Sequence, residues 1–217
     1  MKHRLDRRLI PWSIMVGALT VLGYASRASG GKPPKDAAYQ YSTAAAGLVQ
    51  YAIILAVVLL IARPQWSLLA LRRPSSIRRA VSAGAIALIG VYVANAIVLT
   101  YSNPGREQGL TPNHWDSSRS AQFAVNFFVF VAVAPFVEEL TFRGLGYSLL
   151  APLGQLSAIL WVGLTFGLAH GLVEGLPVLI VFGAGLALIR AWSDSVYPGM
   201  AVHGAFNAIA LILAVTT

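Results

Sequence analysis

Seven apolar segments, at about residues 9–25, 44–62, 80–101, 121–150, 156–170, 176–192 and 196–215, leave this chain few ways to fold. A helix of about 20 apolar residues crosses the hydrocarbon core of a bilayer, and it satisfies every backbone N–H and C=O within one segment. The pattern therefore predicts an all-α, polytopic membrane helix bundle with about seven transmembrane helices. The fourth segment is long for one span, and the fifth and sixth are short. Composition agrees, since 57% of the 217 residues are hydrophobic and only 11% charged, against about 25% charged in soluble domains. The longest polar stretches, 26–43 and 102–120, read as loops, so residues 1–217 are expected to form a single membrane domain.

The net charge of +8 would suggest nucleic acid in a soluble protein. Here Lys and Arg cluster beside apolar segments, with four before the first, five between the second and third, three between the first and second and two between the third and fourth. This alternation predicts a cytoplasmic N-terminus for a multi-pass protein, and a bacterial cell membrane is its expected location. No basic surface with interleaved aromatics accompanies the charge, so no nucleic acid partner is expected. The opening MKHRLDRR, its apolar run and SRASG also have the form of a signal peptide, but an uncleaved first helix is preferred. With no cysteine, there is neither a thiol nucleophile nor a thiolate metal site.

Polar groups at bilayer depth cost about 2.5–3.5 kcal/mol each, and this chain collects several. Glu138 and Glu139 lie in PFVEELTFRG, His170 in LTFGLAHG, and His203 and Asn207 in AVHGAFNAIA. On a helix Glu139 and Arg143 are four apart, with the acid first, the favoured order for an ion pair. Glu138 lies about 100° further round and has no partner near it in sequence. A lone desolvated acid of this kind suits a general base. His170 follows Phe166 by four residues, and Asn207 follows His203 by four, so each pair shares a helix face. Imidazoles that donate, accept or bind metal, and an amide that donates to an oxyanion, are what peptide hydrolysis by an activated water requires. Gly163, Gly167, Gly171 and Gly175 line one face of the fifth helix for close packing. His203 is expected to lie shallower than Glu138 and His170.

The three ordered motifs, EExxxR at Glu138, Glu139 and Arg143, FxxxH at Phe166 and His170, and HxxxN at His203 and Asn207, resemble those of the CPBP family, the CAAX proteases and bacteriocin-processing or self-immunity proteins. The resemblance covers about residues 121–213, and the three preceding transmembrane helices in 1–120 carry no family motif. It implies an intramembrane endopeptidase whose water-open cavity lies between helices. Glu138, helped by His170, would activate a water, and His203 and Asn207 would stabilise the oxyanion. The substrate would be a membrane-associated or lipidated protein or peptide, cut near its C-terminus or leader. No cofactor is required on this reading; a zinc held by Glu138, His170 and His203 is the alternative.

Two rivals come from other classes. One is a non-catalytic immunity or binding protein in the membrane, which has no need of the whole motif set. The other is a proton relay or transporter, which would usually show repeated halves; no internal repeat is found.

Overall fold

The computed structural model describes residues 6–30, 36–102, 107 and 114–216. Lys2, Arg4, Lys32, Lys35 and Arg106 of the basic clusters lie outside the described residues. Among those described, six helices are long and apolar enough to cross a membrane: α1 (Leu9–Ala28), α2 (Tyr41–Ala62), α3 (Ile77–Val98), α4 (Ser117–Leu153), α6 (Leu176–Ser193) and α7 (Tyr197–Thr216). A shorter apolar helix, α5 (Gln155–Ala169), completes the polytopic bundle. At 15 residues, α5 is roughly 22 Å long, less than the hydrocarbon thickness. The residue that follows it, His170, is therefore left within the bundle.

The helix ends follow from local chemistry. Ser76 caps α3, its Oγ accepting from the Arg79 N–H. Pro177 sits in the first turn of α6, and Asp194 closes the same helix in a left-handed conformation. The Asp194 carboxylate receives Arg72 and Arg190 at 2.7 and 2.8 Å. At this end of the bundle Arg8 also donates to the side chain of Gln65 and to the Arg63 carbonyl. At the opposite end the Glu107 carboxylate accepts from the N–H groups of Val173 and Gly175, at 2.7 and 3.0 Å, and pairs with Arg27 at 2.9 Å.

Packing supplies cohesion where lipid is as apolar as leucine. The α5–α6 contact is close at Gly163, where a Cβ would lie 2.8 Å from both the N and the Cβ of Ala184. The small-residue face expected on the fifth helix stops at Gly167, because α5 ends at Ala169. Gly171 lies instead in the following turn, at φ +63° and against the backbone of Gly23 in α1. The N-terminal helix also docks through Trp12, whose indole N–H donates to the Thr141 carbonyl at 2.9 Å.

The helix α4 is not uniform. Two π-helical stretches, Val129–Val133 and Glu139–Gly146, flank a short α-helical turn, Ala134–Glu138, with Pro135 near its start. Such widened turns are rare and frequently mark functional sites.

Candidate active site

Glu138 and Glu139 point to different surroundings, as their angular separation requires. Glu139 is fully buried and pairs with equally buried Arg143 at 3.0 Å. The guanidinium donates to the Gly183 carbonyl at 3.0 Å and lies 4.1 Å from the Phe166 ring centroid. On the far side α7 approaches so closely that a Cβ on Gly199 would lie 2.5 Å from Glu139 Oε2. Glu139 also holds His203 Nδ1 at 3.2 Å. A carboxylate is acceptor only, so Nδ1 is the donor and Nε2 is directed away from the pair.

Glu138 faces a cavity, where its Oε2 meets two imidazoles from other helices. His203 Nε2 lies 3.7 Å away and His170 Nε2 4.0 Å away. His170 Nδ1 is 2.7 Å from the Phe166 carbonyl one turn earlier. A carbonyl can only accept, so the proton sits on Nδ1, and the Nε2 lone pair of the neutral ring is presented to the cavity. The expected shallow placement of His203 is not found. His203 is buried, and its Nε2 lies 3.7 Å from Glu138, so the two share one depth.

Asn207 lines the same cavity, but its amide is partly engaged: Nδ2 donates to the Phe130 carbonyl at 2.9 Å. Pro135 explains why that acceptor is available. In the first π-helical stretch the Ala134 N–H bonds to the Val129 carbonyl five residues back. The donor next in line, for Phe130, would be residue 135, and proline has no N–H. An orphaned carbonyl in the bundle must find a partner, and Asn207 supplies it. One amide hydrogen of Asn207 remains.

The cavity, about 240 Å³, is walled by Glu138, His170, His203 and Asn207 with Phe182 and Phe206 among its apolar lining. A second hollow of about 200 Å³ adjoins it across Glu138 and His170. Tyr51 of α2 borders both, and its hydroxyl donates to Glu138 Oε1 at 2.8 Å. Sequence reading misses this residue. An aromatic in an apolar helix, 87 positions before its partner, carries no periodic or spacing signal.

Zinc with bonds of about 2.0–2.2 Å in a tetrahedral shell needs its donor atoms roughly 3.3–3.6 Å apart. The 3.7 and 4.0 Å gaps from Glu138 Oε2 to the imidazoles exceed that range. Among the described residues, no three His, Asp or Glu side chains are grouped to share a metal ion.

The turn after His170 gives a test of how the site is held. Gly171→Ala would force a Cβ to 2.7 Å from the Gly23 carbonyl carbon at a positive φ. The left-handed conformation alone costs about 1–2 kcal/mol. Thermal unfolding in detergent should show this loss of stability; an unchanged midpoint would mean that the turn relaxes freely.

Residues 120–209 match the family model described as type II CAAX prenyl endopeptidase, Rce1-like. This segment is similar to a CAAX-protease core. It contains Glu138, Glu139, Arg143, His170, His203 and Asn207, and excludes Tyr51 and Trp12, which reach the CAAX-type core from α2 and α1. No curated protein and no solved structure matches the chain. The match supports an intramembrane protease acting on a membrane-associated protein or peptide.

Proposed function

We propose that this chain is an endopeptidase of glutamic type, in which Glu138 activates a water held between it and the two imidazoles. One observation carries the reading: a single oxygen of Glu138 faces Nε2 of both His170 and His203, on a cavity that also holds Asn207. Water between these groups would donate one proton to Glu138 Oε2 and be oriented by the lone pair of His170. Its oxygen bonds to the scissile carbonyl carbon, and the carbonyl electron pair moves to oxygen. The remaining N–H of Asn207, and the protonated form of His203, would donate to that oxyanion. Collapse breaks the C–N bond as Glu138 returns the proton to the leaving nitrogen. No step passes through a metal.

The substrate is read as a membrane-associated or lipidated chain, cut near its C-terminus or leader. The N-terminus is assigned to the cytoplasm, and contact of Arg8 with the segment at 63–65 supports a common side for the two basic clusters. Residues 1–217 are read as one membrane domain, a reading supported by the α1 and α2 contacts to the core.

The test uses full-length protein purified in detergent, with a farnesylated Cys-aliphatic-aliphatic-X peptide and an unprenylated peptide library. Mass spectrometry should reveal an internal cut that persists in chelator. Loss of cutting in chelator, restored by zinc, would overturn the metal-free mechanism. Binding of peptides without any cut would favour the immunity or binding reading.

A further inference from the structure

We propose that Tyr51 is a positioning residue that decides which oxygen of Glu138 works. The inference rests on the glutamic-type reading above. The two oxygens of Glu138 are served by different parts of the chain: Oε1 accepts from the Tyr51 hydroxyl at 2.8 Å, and Oε2 faces the imidazoles at 3.7 and 4.0 Å. A carboxyl group turns readily about its last side-chain bond, whose preference is broad and two-fold. With nothing attached, either oxygen could face the water. A phenol donating to a carboxylate makes a charge-assisted bond, stronger than one between neutral groups. Tyr51 therefore ties down one oxygen and leaves the other to take the proton when the O–H bond of water breaks.

The ring of Tyr51 has a second consequence. On α2, residues 51, 54, 55 and 58 share a face, and Ile54 and Val58 are buried in the bundle. Tyr51 extends that stripe to the site and borders an outer, apolar groove of about 430 Å³ between α2 and α4, lined by Leu48, Leu55, Phe128 and Phe136. The ring is thus the partition between this groove and Glu138. Tyr51 reaches neither histidine within hydrogen-bond distance, and it acts through Glu138 alone.

Tyr51→Phe keeps the partition and removes the donor. With the farnesylated peptide as probe, kcat should fall roughly 10- to 100-fold, the range for lost groups that orient a reactive one, with KM within about two-fold. The unfolding midpoint should fall only slightly, by the loss of one hydrogen bond. Equal falls in stability and activity, or a wild-type kcat, would overturn the inference. A readout without substrate accompanies it: the infrared carboxylate band in the wild-type minus Glu138→Gln difference spectrum should shift in the Tyr51→Phe background. An unshifted band also overturns the inference. Failure of the underlying reading looks different, since wild type and Glu138→Gln would then cleave alike or not at all. In that case the infrared band alone decides whether Tyr51 orients the carboxyl group.

Discussion

Glu138→Gln is expected to lower kcat/KM by about 10²–10⁴-fold, the usual contribution of a positioned general base, while leaving the fold intact. The amide is nearly isosteric and can still accept the Tyr51 hydroxyl hydrogen, so the 2.8 Å contact has a route to survive. What it lacks is a basic oxygen facing His170 and His203. The measurement is steady-state cleavage of the farnesylated peptide alongside thermal unfolding in the same detergent. Cleavage at the wild-type rate would remove Glu138 from the chemistry and pass the role to another group. A fall in unfolding midpoint matching the fall in activity would reduce the effect to misfolding.

Arg143→Met is expected to cost about 3–5 kcal/mol of stability, the largest structural effect among the site residues. Both members of the Glu139–Arg143 pair are fully buried, so removing the cation leaves a carboxylate with no solvent to replace it. Glu139 also accepts from His203 Nδ1, and cleavage should fail together with stability. Pairing the change with Glu139→Gln removes the stranded charge and should recover most of the lost stability. Cleavage should stay impaired in that double variant, because a neutral amide holds the imidazole less firmly. Equilibrium unfolding of the wild type and the single and double variants measures these effects. Equal stability of Arg143→Met and wild type would mean that Glu139 is reached by water or by another cation.

The apolar segments were legible as helices because each is long and nearly continuous, and the structure forms α1 to α7 where they were expected. Spacing also announced the separate directions of Glu138 and Glu139, since an angular offset of one residue depends only on helix geometry. Three features lay beyond such reasoning. Tyr51 meets Glu138 through the crossing of α2 and α4, which no local pattern encodes. The depth of His203 depends on how α7 packs against α4, which the span boundaries in the sequence do not encode. The glycine spacing ran past the true end of α5, because periodicity in sequence continues into a turn where the helix does not. The engagement of Asn207 did have a signal, a proline within a transmembrane segment, but reading it required knowing that the preceding turn is π-helical.

That proline gives the bundle an unusual dependency. A hydrogen missing from the main chain of one helix determines where a side chain of another helix comes to rest. Alanine at 135 would offer a hydrogen to the Phe130 carbonyl that competes with the Asn207 amide, although neither end of that bond had been altered. Evolution, or an engineer, could thus retune the wall of this chamber by editing backbone chemistry alone.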